Sequence, residues 1–89
     1  MDDRIRQIAE HYGIRLQIIQ LIQEAAELIE AGTEFTFDAD AAYDHLGEEI
    51  ADVEIMTEQI KYLTGSHGLV EAWKEKKLER QMGRIKGEE

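Results

Sequence analysis

Proline is absent from all 89 residues, and glycine divides the chain into stretches of helix-forming residues. Leu, Ile, Ala, Glu, Gln, Lys and Arg dominate these stretches, and most of them favour helices. Gly13, Gly32 and Gly65 each follow a run in which apolar residues recur every three or four positions. Glycine ends many helices because it accepts a left-handed conformation. The sequence therefore predicts an all-α protein.

Four helices are predicted, over residues 2–12, 14–31, 41–64 and 69–86. Asp2 or Asp3 can cap the first helix, and Asp38 or Asp40 the third. Residues 33–39 break the helical period and predict a loop with a brief extended segment. The expected fold is a small four-helix domain over residues 1–89, with a central antiparallel helix pair and a core completed by oligomerisation.

Two of these helices carry wide apolar faces, which are expected to form the core. A domain of this size buries a modest fraction of its surface, so association is a common way to complete its core. We therefore expect a homodimer or a homotetramer. The predicted core residues of the second helix are Ile18, Leu21, Ile22, Ala25, Leu28 and Ile29. Those of the third helix are Leu46, Ile50, Val53, Met56, Ile60 and Leu63.

The charge of the chain restricts its partners. It has 10 Lys and Arg against 20 Asp and Glu, a formal net charge of −10. This balance argues against nucleic-acid binding, which requires a basic surface. The absence of cysteine excludes disulfides and thiolate metal sites. No stretch resembles a signal peptide or a membrane span, so we expect a cytoplasmic protein without a membrane partner.

Four acidic residues form two pairs with the spacing i, i+3: Glu24 with Glu27, and Glu49 with Asp52. This spacing places each pair on one face of a helix. Glu49 falls inside the apolar arc of its helix, where a carboxylate is unfavourable unless it is paired or holds a cation. If the helices pack antiparallel, both pairs converge, and carboxylate oxygens suit Mg²⁺ or Mn²⁺.

Other interpretations of the acidic residues stay open. Glu24 and Glu27 alone suit a solvent-exposed face. Glu49 could instead form a buried ion pair with a basic residue of the last helix.

The last helix contains most of the positive charge. Lys77, Arg80 and Arg84 line one face of it, and such a row suits phosphate oxygens. The alternative is an ordinary solvated basic face. Phe35, Phe37 and Trp73 are interpreted as core or loop anchors rather than as a stack for a base, and Met56 and Met82 as core residues. No role is assigned to the histidines, which lack zinc-like spacing: His11, His45 and His67.

Taken together, the motifs resemble those of a known enzyme superfamily. Glu24-x-x-Glu27, a spacer over residues 28–48, and Glu49-x-x-Asp52 resemble the metal signature of the all-α nucleoside triphosphate pyrophosphohydrolases. This superfamily includes the MazG proteins, dimeric dUTPases and phosphoribosyl-ATP pyrophosphohydrolases. Residues 77–85 are similar to the basic helix that follows the metal helices in MazG domains. The resemblance covers roughly residues 14–86.

The resemblance implies a helical protein, active as a dimer or tetramer, that uses Mg²⁺ to cleave a (deoxy)nucleoside triphosphate substrate into its monophosphate and pyrophosphate. Nucleotide-pool housecleaning is one role for such an enzyme. The implied metal ligands are Glu24, Glu27, Glu49 and Asp52, with Glu27 also the candidate general base. The implied phosphate-binding residues are Lys77, Arg80 and Arg84. Many MazG domains have glutamate where this chain has Gln23, which leaves the rate or the number of metals open.

Three other functions remain as alternatives. The main one is a non-catalytic helical interaction module that docks a partner on its apolar helix. A helix-turn-helix regulator is disfavoured by the acidic charge. A carboxylate metal bundle is disfavoured because its Glu-x-x-His pairs are missing.

Overall fold

The computed structural model describes residues 1–87, which contain three helices and no strand. Helix α1 spans Asp3–Phe37, α2 spans Ala39–Thr64 and α3 spans His67–Ile85. The acidic end of the predicted domain, residues 88–89, lies outside the described residues. The all-α prediction is confirmed. The prediction of four helices is wrong, because the first two predicted helices form one element that bends at Gly13.

Local signals explain most helix ends. The Asp2 carboxylate accepts a hydrogen bond from the Arg4 backbone N–H, 2.9 Å away, and caps α1. Gly13 has a φ of 79° at the bend, and Gly65 has a φ of 64° at the end of α2. Both values lie in the region that glycine adopts without steric penalty. The predicted cap at Asp2 and the predicted helix end at Gly65 are confirmed, whereas Gly13 marks a bend within α1.

The predicted stop at Gly32 and the predicted loop over residues 33–39 are wrong. Helix α1 continues through Gly32 to Phe37. The chain turns at Asp38 instead, with a φ of −149°, and its carboxylate accepts from the Ala41 N–H at 3.2 Å to begin α2. A glycine inside a helix costs only about 1 kcal/mol relative to alanine, which packing can offset. The adjacent Ala31 is fully buried, and α1 packs extensively against α2, as such an offset requires.

Helices α1 and α2 form an antiparallel hairpin. Hydrogen bonds link Tyr62 to Glu10, Gln59 to Gln17, and His45 to Glu34, so residues late in α2 pair with residues early in α1. The interface follows a seven-residue repeat typical of helix pairs. We call this interface the seam, and its repeat positions are Gln17, Glu24 and Ala31 on α1 and Ala42, Glu49 and Met56 on α2.

The predicted core faces are only partly buried in the single chain. Met56 is buried, and most of the other predicted residues, such as Leu21 and Val53, are half-buried. Ile22 and Ile29 on α1 are 65% and 71% exposed, and Ile18 and Ile50 are also exposed. The exposed isoleucines of α1 lie outside the seam, whose repeat positions on this helix are Gln17, Glu24 and Ala31.

Helix α3 packs little against the hairpin. None of its residues, all of which are described, is buried. The extensive helix interface within residues 1–87 is that between α1 and α2. The radius of gyration is 15.9 Å, against about 12 Å for a compact chain of this length. Met82 is exposed, so its prediction as a core residue is wrong. Trp73 and Phe37, which were predicted to be core residues or loop anchors, are also exposed and do not pack in a core.

None of the helices described for residues 1–87 combines the length and the hydropathy needed to cross a bilayer.

Candidate metal centre

The hairpin brings the four acidic residues together. Asp52 lies beside Glu24, and the antiparallel register set by the Gln17–Gln59 hydrogen bond brings Glu27 and Glu49 to the same level of the hairpin. Each residue offers one carboxylate oxygen, and these four oxygens all lie within 4.8 Å of one another. The predicted convergence of Glu24, Glu27, Glu49 and Asp52 is therefore present in the structure. We call this cluster the acidic quartet.

The four side chains of the quartet differ in how deeply they are buried. Glu49 is only 4% exposed, Glu24 and Asp52 are half-buried, and Glu27 is exposed. Two buried oxygens, Glu24 Oε2 and Glu49 Oε2, have no hydrogen-bond partner within residues 1–87. A buried carboxylate oxygen without a donor is strongly unfavourable. These atoms are therefore suited to a cation.

The neighbours of the quartet supply few donors. Gln20 Nε2 donates to Glu24 Oε1 at 2.8 Å, and His45 Nε2 lies 3.4 Å from Glu49 Oε1. Lys77 and Arg80 of the last helix form no ion pair with the quartet within the described residues. The structure therefore does not support the alternative of an ion pair between Glu49 and either of these two residues. The residue that contacts Glu49 is His45, one turn earlier on α2.

His45 is a contact that sequence analysis missed. Its Nδ1 lies 3.0 Å from Glu34 Oε2, so the ring bridges α1 and Glu49. The hydrogen bond to Glu34 raises the pKa of His45, and Glu49 raises it further. The available signal was the i, i+4 spacing of His45 and Glu49, which is common in helices without function.

Electrostatics within the quartet disfavour full ionisation. Burial raises the pKa of Asp52, and the charge of the adjacent Glu24 and a hydrogen bond to it raise it further. Like charges at this separation repel strongly in a poorly hydrated site. A bound cation removes this repulsion, so the same geometry that is unfavourable alone becomes favourable with a metal.

The donor set fits a hard divalent cation. Carboxylate oxygens are the preferred ligands of Mg²⁺ and Mn²⁺. Oxygens on opposite sides of an octahedral Mg²⁺ lie about 4.2 Å apart, slightly less than the 4.8 Å limit of the quartet. The quartet therefore suits an ion that binds some carboxylates directly and retains waters toward the others.

A cavity of about 500 Å³ adjoins the quartet and shares Glu24 and Asp52 with it. Its wall includes two buried amides, Gln17 and Gln59, which we call the amide pair. Gln59 Nε2 donates to Gln17 Oε1 across the seam. Sequence analysis gave neither residue a role, because an isolated glutamine in a helix carries no distinctive motif.

The basic residues of α3 lie on a helix that packs little against the hairpin. Lys77 lies beside Trp73, with its Nζ 6.0 Å from the ring centroid, and Lys76 lies closer, at 5.1 Å. No hydrogen bond or ion pair within residues 1–87 joins Lys77 or Arg80 to the quartet. Contacts to phosphate from this helix therefore require another arrangement or another copy of the chain.

Comparisons with protein-family models, with curated proteins and with solved structures find no match to this chain. A proposal for its function must therefore rest on the residues of the site and on the motifs that they form.

Proposed function

We propose that the acidic quartet binds Mg²⁺ or Mn²⁺ and that the protein hydrolyses a nucleoside triphosphate to the monophosphate and pyrophosphate. The observation that carries the proposal is the pair of buried, unpartnered oxygens, Glu24 Oε2 and Glu49 Oε2, inside a cluster of four carboxylates. Such a cluster is poorly explained as a solvated surface. The resemblance of both acidic motifs to the pyrophosphohydrolase signature selects the reaction.

The residues divide by exposure. Glu24, Glu49 and Asp52 are the most buried, and they would hold the metal. A bound dication polarises phosphate oxygens and makes a nearby water more acidic. Glu27 is exposed to solvent and belongs to the cluster, so it can accept a proton from the attacking water as general base while contributing to metal binding.

The phosphate-binding role falls to Lys77, Arg80 and Arg84 on α3. Helix α3 packs little against its own hairpin, so these residues would act in an oligomer, where another copy places them near the quartet. The exposed apolar stripe of α1, which includes Ile22 and Ile29, supplies the surface for a homodimer or homotetramer.

The activity is tested with a panel of ordinary and modified nucleoside triphosphates. We expect release of monophosphate and pyrophosphate that requires Mg²⁺ or Mn²⁺. Glu49→Ala and Asp52→Ala should abolish it, whereas Glu54→Ala, at an exposed position of the same helix, should retain it. Products must be separated so that monophosphate plus pyrophosphate is distinguished from diphosphate plus phosphate. Absence of metal-dependent pyrophosphate release across the panel would contradict the proposal.

The association is tested by charge substitution in the apolar stripe. Ile29→Lys should lower the mass measured by light scattering toward that of a monomer. Glu30→Lys introduces the same side chain at the adjacent exposed residue and should leave the mass unchanged. A monomeric wild-type protein would contradict this part of the proposal.

A second candidate function is a non-catalytic interaction module. The observation that favours it is the number of large apolar side chains left exposed on α1 and α3, including Leu78 and Ile85. This candidate predicts no dependence on divalent metal. It becomes the better explanation if the nucleotide panel is negative and Mg²⁺ does not raise the melting temperature.

A further inference from the structure

The cavity beside the quartet is large enough for a small organic group. Its volume of about 500 Å³ lies within the range of roughly 300–1,000 Å³ common for small-molecule sites. It is lined from both α1 and α2, and Glu24 and Asp52 form part of its wall. A ligand with a charged end at the quartet can therefore extend an uncharged end into the cavity.

Apart from Glu24 and Asp52, the described lining contains no charged residue. Much of it is aliphatic or thioether surface: Ile8, Leu16, Ile19, Ile55 and Met56. Tyr12 adds an aromatic ring, which packs well against flat heterocycles. This composition suits a planar, uncharged and mostly apolar group.

Gln59 adds a specific polar requirement to this wall. It is 1% exposed, and its Nε2 is engaged by Gln17 and by Met56 Sδ, 3.6 Å away. Its Oε1 is buried and has no partner within residues 1–87. An unsatisfied buried carbonyl costs about 1–3 kcal/mol, which a ligand N–H recovers. Met56 lies beside this amide, and its flexible side chain can move to admit a donor.

We infer that this cavity binds the base of the nucleotide, with a base N–H donating to Gln59 Oε1. The inference rests on the proposed function, because phosphates held at the quartet direct the base into the adjoining cavity. Flat bases are commonly recognised by hydrogen bonds to their polar edge and by packing of their faces against aromatic and apolar side chains. The cavity offers both.

The test uses nucleosides without phosphate or metal, so that it does not depend on catalysis. Adenosine, guanosine, cytidine and uridine are titrated to millimolar concentration while the side-chain amide signals of Gln17 and Gln59 are followed by NMR. At least one nucleoside should shift both signals. Its analogue with the base N–H groups methylated, such as 3-methyluridine for uridine, should bind about tenfold more weakly, as expected for one lost hydrogen bond.

The variants assign the effect to Gln59. In Gln59→Met, a nucleoside and its methylated analogue should bind with equal affinity. The double variant Gln17→Leu/Gln59→Met removes both amides without leaving one unpaired, and it serves if the single variant is unstable. Gln7→Met, at an exposed position outside the cavity lining, should preserve the wild-type preference. If the Gln59 variants still preferred the nucleoside over its methylated analogue as strongly as the wild type does, the inference would be overturned.

Failure of this inference is distinguishable from failure of the proposed function. Metal-dependent turnover with a KM that Gln59→Met leaves unchanged for every nucleotide would overturn the base pocket and leave the activity intact. Nucleoside binding without any turnover would support the pocket and contradict the activity. Amide signals that respond to protein concentration but not to nucleosides would show that a second copy fills the cavity, and the inference would be wrong.

Discussion

The amide pair and the acidic quartet lie in the same seam, seven residues apart on each helix, as Gln17 precedes Glu24 and Asp52 precedes Gln59. Both place polar groups where an antiparallel helix pair ordinarily has apolar ones. The amide pair contains a donor and an acceptor, so one hydrogen bond forms within it. The quartet consists of acceptors when ionised, and two of its buried oxygens have no partner in the described chain.

This difference shows how polar residues between two packed helices indicate a function. A polar layer with its own donor, such as the amide pair, is held by an internal hydrogen bond although Gln59 Oε1 has no partner in the described chain, and it contributes to register and stability. A layer that repels itself can persist only if a proton or a cation compensates it. The two layers therefore predict opposite responses to substitution and to metal, and the predictions below use those responses.

The largest expected effect is on stabilisation by metal. At a Mg²⁺ concentration of about 100 times Kd, binding should stabilise the wild type by about 2.7 kcal/mol. Glu49→Gln should abolish this gain and raise the melting temperature of the metal-free protein, because it removes a buried charge from a repulsive cluster. The measurement is thermal unfolding with Mg²⁺ and with EDTA. Glu54→Gln, at an exposed position, is the control and should behave as wild type.

If Glu49→Gln lowered the metal-free melting temperature, the carboxylate would be satisfied within the chain. The contrast between the quartet and the amide pair would then disappear.

The amide pair should respond in the opposite way. Gln59→Leu leaves the Gln17 amide buried without its partner, so unfolding free energy should fall by about 1–3 kcal/mol. Gln17→Leu/Gln59→Leu replaces both amides by apolar groups and should recover most of that loss. Urea unfolding with EDTA present measures both variants. Additive losses in the double variant would show that the two amides act independently.

The ionisation of Asp52 should make metal-free stability depend on pH. Because burial and Glu24 raise the pKa of Asp52 in the folded protein, folding favours its protonated form. The free energy of unfolding should therefore decrease as the pH rises from the pKa of Asp52 in the unfolded protein through its raised pKa in the folded protein. Asp52→Asn cannot ionise, so it should gain stability relative to wild type over this range. Stabilisation by Mg²⁺ should increase over the same range, because ligands bind metal when deprotonated.

Urea midpoints from pH 4 to pH 8 for the wild type and Asp52→Asn measure this effect. A constant difference between the two proteins would show that the pKa of Asp52 is the same in the folded and the unfolded protein.

The quartet was predictable from sequence because its signal is local. Two i, i+3 pairs, with Glu49 in an apolar arc, required only helical periodicity and an antiparallel pairing. The same reasoning failed at Gly32, since a glycine can end a helix or continue it and packing of Ala31 decides which. It also missed Gln17 and Gln59, because their pairing depends on a register between two helices that neither helix specifies alone.

The apolar faces show a different limit. Periodicity correctly identified a stripe containing Ile22 and Ile29, but it does not say what covers the stripe. We assigned it to the core, whereas the structure leaves Ile22 and Ile29 exposed and places Gln17, Glu24 and Ala31 in the seam. The seven-residue spacing of these three residues was the available signal. This spacing was overlooked because two of the three residues, Gln17 and Glu24, are polar.

The smallest expected effect concerns His45, which links the quartet to Glu34. The Glu34 carboxylate raises the pKa of His45 in the folded protein. The interaction therefore stabilises the fold fully when the pH is below the pKa of His45 in the unfolded protein, and this stabilisation is lost as the pH rises through the pKa of His45 in the folded protein. His45→Gln should therefore lower the metal-free urea midpoint slightly at pH 6 and leave it unchanged at pH 9. The effect is small because solvent screens this exposed pair.

Glu34→Gln should reproduce the pH 6 loss, and Glu30→Gln, an exposed carboxylate one turn earlier on α1, should not. Equal losses at pH 6 and pH 9 in His45→Gln would mean that the imidazole acts through packing rather than charge. The contact with Glu49 would then orient that carboxylate without adding a positive charge to the quartet, and compensation of the buried oxygens would depend on metal alone.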